Sequence, residues 1–125
     1  MKLNKVVTKL KLFVRFLISL CFLFMAGCRM QSEVYLINKG HTQIEKIKVL
    51  ASEKLIWEGE LGAGEAVEIN FNANKDGSLK MFGQYDGKLF ETGDLGYITP
   101  NDGVFHRIIF EDKNTILYDY STTKQ

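Results

Sequence analysis

Cysteine, proline and histidine are scarce in this chain of 125 residues, with two, one and two copies. His41 and His106 lie far apart in sequence, and Cys21 and Cys28 form no Cys-x-x-Cys pair, so no metal-ligand motif is legible. No acidic residue occurs before position 28, although the chain holds 15. The longest uncharged apolar run, from Phe16 to Ala26, has 11 residues. A membrane-spanning helix needs about 20, so this run does not span alone. After Cys28 no stretch spaces its apolar residues at three and four, which leaves little room for helix. No run of Lys and Arg follows Cys28 either, and without one there is no basic stripe for nucleic acid.

The net charge of +1 averages two unlike pieces. Lys2, Lys5, Lys9, Lys11 and Arg15 stand in the first segment; the remaining 11 basic residues face 15 acidic ones, a formal charge of −4 beyond Cys28. A basic head, a short apolar run and the small residues Ala26 and Gly27 directly before a cysteine form the order of an export signal. The stretch Phe22-Leu-Phe-Met-Ala-Gly-Cys28 resembles the lipobox of bacterial lipoproteins, with Met25 where leucine is commonest. That resemblance implies cleavage between Gly27 and Cys28, and a lipid on Cys28. It divides the chain into a signal peptide (1–27), a lipidated short tether (28–32), a globular domain (33–121) and a C-terminal tail (122–125). It also implies a bacterial cell-envelope location. With Arg29 rather than aspartate after the cysteine, the expected site in a Gram-negative cell is the outer membrane, at its periplasmic face. Four extended residues reach only about 13–14 Å, so the domain is expected close to the lipid.

The 98 residues from Cys28 onward suffice for one independent core. Glu33–Asn38 is apolar through its middle and reads as a strand buried on nearly both faces. In Gln43–Leu50, Ile47 and Val49 alternate with lysines while Ile44 is out of phase, which predicts a bulge. Lys54–Glu58 is a short strand, and three glycines between Gly59 and Gly64 predict a loop. Val67, Ile69 and Phe71 share one face of the next strand. Ser78–Tyr85 and Lys88–Thr92 flank Asp86-Gly87, a strong hairpin signal. Gly93–Pro100 reads as irregular, and Phe105–Glu111 and Thr115–Ser121 close the chain as strands.

Seven or eight short strands at this spacing predict an all-β, small antiparallel Greek-key sandwich, with a small closed β-barrel as the alternative. Asn38-Lys-Gly40, then Lys48-Val49, then Gly62-Ala-Gly64-Glu65 leading into Val67–Phe71, resembles the pattern of bacterial immunoglobulin-like adhesion and cell-surface modules. The likeness implies a fold rather than an activity.

Catalytic chemistry finds little purchase. No serine sits on a Gly-x-Ser-x-Gly elbow. His106 with Asp102 or Asp94 lacks an attractive third member, and its strand position predicts a half-buried histidine bonded to a backbone carbonyl. Asn72–Gly77 alternates oxygen-bearing side chains but lacks the terminal acid of a calcium loop. No catalytic residue, metal or cofactor is expected, and the chain reads as non-enzymatic. Candidate partner-binding residues are Leu95, Tyr97 and Ile98, where an aromatic lies among glycines in an irregular segment. The expected function is a lipid-anchored envelope protein whose sandwich binds a protein partner at the membrane surface, as adaptor, assembly factor or immunity/inhibitor protein. The alternative is a module binding a small ligand or cell-wall fragment, which needs a concave pocket lined by the aromatics.

Overall fold

The computed structural model describes residues 2–25, 30–112 and 115–123. Gly27 and Cys28, the expected cleavage and lipid positions, lie outside the described residues. A helix, α1 (Lys2–Met25), precedes nine strands: β1 (Ser32–Asn38), β2 (Ile44–Ala51), β3 (Lys54–Leu61), β4 (Ala66–Phe71), β5 (Gly77–Tyr85), β6 (Lys88–Glu91), β7 (Leu95–Ile98), β8 (Phe105–Glu111) and β9 (Thr115–Ser121).

The strands form two sheets, and the protein is a small β-sandwich. One sheet runs β4-β1-β8-β9; the other runs β3-β2-β5-β6, with β7 also pairing β5. The sheets approach at two corners, β3 against β4 and β7 against β9, without a ladder joining them, so no barrel closes. Two features differ from the sequence expectation. The described residues form nine strands, because Leu95–Ile98 pairs with β5 instead of remaining irregular. One pair, β1 with β8, is parallel (Val34 opposite His106, Leu36 opposite Ile108), so the first sheet is mixed. The chain enters β1 and β8 from the same end of the sandwich, and only the folded path decides that.

The core is built by alternation. Val34 and Leu36, Ile69 and Phe71, Ile108 and Phe110 turn inward from the first sheet, to meet Ile47, Val49, Leu79, Met81 and Ile98 from the second. Burial of such side chains stabilises the fold by about 1.5–3 kcal/mol each. The buried members of this core lie between Val34 and Phe110; none of the described α1 side chains, Asn4 to Cys21, joins it, and all of these are exposed.

Strand β1 is central, flanked by β4 and β8, which accounts for its near-continuous apolar sequence. The predicted bulge is present: both ladders of β2 shift register between Ile44 and Lys48, and Lys46 takes a φ of 50°. Asp86 and Gly87 have φ of 50° and 76° between Tyr85 and Lys88, the backbone of a two-residue hairpin of the type whose central residues both lie at positive φ.

Gly59 corrects the sequence reading. It belongs to β3, which runs on to Leu61, and the Trp57 indole lies over it so closely that a Cβ there would meet the ring at 2.8 Å. The ring of Phe90 covers Gly83 in the same manner, across the β5–β6 ladder. An aromatic lying on a strand glycine replaces the packing that the glycine lacks.

Candidate functional site

The described chain enters the sandwich at Met30. Met30 packs against Gly103, and β1 begins at Ser32, one residue inside the expected tether. Ser32 is 2% exposed, and its hydroxyl donates to Asp102 Oδ1 at 2.6 Å. Asp102 organises the loop above it: Oδ1 also accepts from the Val104 N–H, and Oδ2 from the Thr99 N–H and hydroxyl. Burial works against the Asp102 charge, but these hydrogen bonds together outweigh it and hold the carboxyl below its ordinary value of 3.8. The entry end of the sandwich therefore comprises Met30–Gln31, the Asn72–Asp76 loop, and Thr99–Val104. The far end holds Asn38–Gln43, Gly62–Glu65 and Asp86-Gly87.

At the far end, the Asn38-Lys-Gly40 and Gly62-Ala-Gly64-Glu65 segments of the immunoglobulin-like resemblance meet at one residue. Asn38 is fully buried; its Nδ2 donates to the carbonyls of Thr42, Leu61 and Gly62, and its Oδ1 accepts from the Gly40 N–H. Its backbone bonds the same loop in both directions, to Glu65 and Gly64, and Glu65 Oε2 caps the Gly62 N–H. The Asn-x-Gly and Gly-x-Gly-Glu patterns thus act as structural fasteners between the first and second sheets.

The three candidate partner-binding residues separate. Ile98 is fully buried in the core, Leu95 is half-buried against it, and Tyr97 alone is displayed, 65% exposed. The Tyr97 hydroxyl donates to Asp76 Oδ2 at 2.9 Å, and that bond raises its pKa above the ordinary 10. The segment is strand β7, not a projecting loop, and its glycine is required by packing. Gly96 has a φ of 66°, and a Cβ there would collide with the Tyr118 hydroxyl.

His106 also differs from expectation. It is 1% exposed rather than half-buried, and its Nδ1 bonds the Tyr118 hydroxyl at 2.8 Å rather than a backbone carbonyl. Nε2 is buried without a hydrogen-bond partner. Burial pushes the imidazole pKa below 6.5, with the Asp102 charge partly opposing, so the ring is neutral at pH 7. Ser32–Asp102 and His106–Tyr118 are two separate pairs, and Asp94 is engaged by Ser78 and Lys80. No serine hydroxyl donates to either histidine nitrogen among the described hydrogen bonds.

On the outer surface of the first sheet, Glu33, Tyr35, Glu68, Phe105, Arg107 and Asp119 line a groove of about 330 Å³. Arg107 Nε donates to Asp119 Oδ1 at 2.9 Å, joining neighbouring strands across its floor. The groove is open, and the charged groups of Glu33, Glu68, Arg107 and Asp119 share it with the aromatic rings of Tyr35 and Phe105. Among the described residues, no group of three or more His, Cys, Asp or Glu side chains converges to hold a metal ion.

Neither a protein-family model nor a curated protein matches this chain. Its fold is similar to that of a solved NMR structure of a protein from Eubacterium rectale. The TM-score is 0.52 with 15% sequence identity, over 73% of this chain and 88% of the other.

Proposed function

We propose that the chain is a non-enzymatic bacterial envelope lipoprotein, anchored by lipid on Cys28, whose sandwich binds a protein partner at the membrane surface. The observation that carries this reading is the absence of slack between the cysteine and the fold. Ser32 is already the first residue of the central strand β1 and is fastened to Asp102. Anchorage at Cys28 holds the entry end, with Thr99–Val104 and Asn72–Asp76, against the lipid and turns the far end outward. Helix α1 supports the same reading. It exposes Leu10, Phe13, Phe16, Leu17 and Ile18, carries basic but no acidic residues, and none of its described side chains joins the core of the sandwich. Such a surface belongs in lipid or in a signal segment that is removed. No helix among the described residues is long and apolar enough to cross a membrane. In a Gram-negative cell, Arg29 after the cysteine directs the mature protein to the periplasmic face of the outer membrane.

Tyr97 is the residue of the expected trio that remains available to a partner. The test has two arms in cells producing the whole chain. Cys28→Ala is expected to abolish labelling by fatty acid and to leave an unprocessed precursor; normal processing to a soluble form would overturn the anchor. A photoreactive amino acid at position 97 is expected to capture a second protein. Capture of nothing, or of this chain alone, would overturn the partner reading.

A further inference from the structure

Four strands carry the outer rims of the two sheets, apart from the short β6, and they are not equally protected. β3 is eight residues long but exposes Lys54, Glu58 and Glu60, and its ladder is interrupted by two register shifts. β4 carries Glu68 and Asn70 and abuts β3 at a corner. β6 and β7 have only four residues each. β9 is abutted by β7 at one corner, where Gly96 lies against the Tyr118 hydroxyl, but it is longer than β6 and β7 and carries fewer charges than β3. Its seven residues pair with β8 in unbroken register, from Glu111 opposite Thr115 to Phe105 opposite Ser121. No strand among the described residues pairs with its other side. It contains no proline, lysine or bulge, the devices by which natural sheet edges avoid pairing. Its single charge, Asp119, is bonded to Arg107 of β8.

We propose that β9 is a self-association edge: two copies of this chain pair through antiparallel β9 strands about a two-fold axis at Tyr118, joining two four-stranded sheets into one of eight. The strand's own sequence supplies the argument. With the axis at Tyr118 all seven residues find partners. Ile116 meets Tyr120 of the second copy, Thr115 meets Ser121, Leu117 meets Asp119, and Tyr118 meets itself. β-Branched–aromatic, hydroxyl–hydroxyl and aromatic–aromatic pairs are stabilising cross-strand combinations, and no like charges stand opposite one another. A one-residue shift of the axis to Asp119 places two carboxylates face to face, and a shift the other way, to Leu117, leaves Tyr120 and Ser121 opposite positions outside the strand, so charge and strand length together favour the axis at Tyr118. The pairing also covers what the single copy leaves bare. Tyr120 is 70% exposed and stacks only on Tyr118, while Leu117 is 46% exposed on the other face. A self-complementary surface of this kind closes as a dimer and does not propagate. The inference depends on the fold and not on lipid attachment.

The test uses the fragment from Met30 to Gln125, which retains the entire core and contains neither cysteine. In sedimentation equilibrium its average mass is expected to rise with concentration towards twice the monomer and stop there. The double variant Thr115→Cys/Ser121→Cys is expected to oxidise to a disulfide-linked dimer roughly tenfold faster, or more, than either single variant. Within one copy those positions lie about 20 Å apart along the strand, too far for a disulfide, so the bond reports the register between copies. A fragment that stays monomeric at every concentration would overturn the proposal. So would single variants that cross-link as fast as the double, since that result places the contact in another register or on another surface. Should the double variant fail to fold, the wild-type sedimentation result decides alone.

Discussion

Replacing Asn38 by alanine removes a side chain whose importance is set by the groups it would leave behind. Its amide is the hydrogen-bond partner of the buried Gly40 N–H and Leu61 carbonyl, and of the Thr42 and Gly62 carbonyls nearer the surface. A buried polar group deprived of its partner costs about 1–3 kcal/mol, whereas groups near the surface recover much of the loss from water. Two buried orphans therefore predict a destabilisation of about 3–4 kcal/mol. Against a total stability of roughly 5–15 kcal/mol this is a large fraction. With about 4–8 °C per kcal/mol for a domain of this size, the thermal midpoint should fall by roughly 15–25 °C. Urea unfolding of the Met30–Gln125 fragment, followed by fluorescence of the only tryptophan, Trp57, measures it directly. Asn38→Asp keeps an acceptor for Gly40 but turns a carboxylate oxygen towards three carbonyls, so it should be at least as harmful. A loss below about 1 kcal/mol for Asn38→Ala would refute the claim that this residue ties the two loops together.

Two further outcomes concern the Tyr118 corner. Because the folded-state pKa of His106 is depressed, the unfolded chain binds the proton more readily, and its neutral burial contributes stability that is complete above pH 6.5. That contribution is lost as pH falls below 6.5 towards the folded value, at up to about 1.4 kcal/mol per pH unit. Urea midpoints across this range should show the slope in the wild type and not in His106→Gln; identical slopes would count against it. Gly96→Ala should cost roughly 2–3 kcal/mol, combining a left-handed backbone with the Tyr118 collision. Gly64→Ala, at a φ of 79° with no atom near the added methyl, should cost only about 1–2 kcal/mol, so the difference in unfolding free energy isolates the contact. Equal losses at the two sites would refute the packing role of Gly96.

Local chemistry carried the elements that the sequence could reveal. Alternation placed Val67, Ile69 and Phe71 on one face and His106 with Ile108 and Phe110 on another, because a strand's period of two is written directly in residue order. The Ile44 bulge and the Asp86-Gly87 hairpin were legible for the same reason: each is a backbone conformation that a few adjacent residues impose. Gly59 misled, because a glycine counts as a loop former until a Trp57 ring is seen to cover it. Leu95–Ile98 misled likewise, because its strand character comes from pairing with Gly77–Leu79, some twenty residues earlier.

The sequence by itself determined an all-β domain, the inward faces of its main strands, and the position of the cysteine on which the proposed anchor depends. Tertiary structure alone decided that β1 and β8 run parallel, that Ile98 is core while Tyr97 is displayed, and that His106 bonds Tyr118. It also left the outer side of β9 without a paired strand among the described residues. Those outcomes depend on which distant strands become neighbours, and that choice is made by the packing of the whole core rather than by any local run of residues.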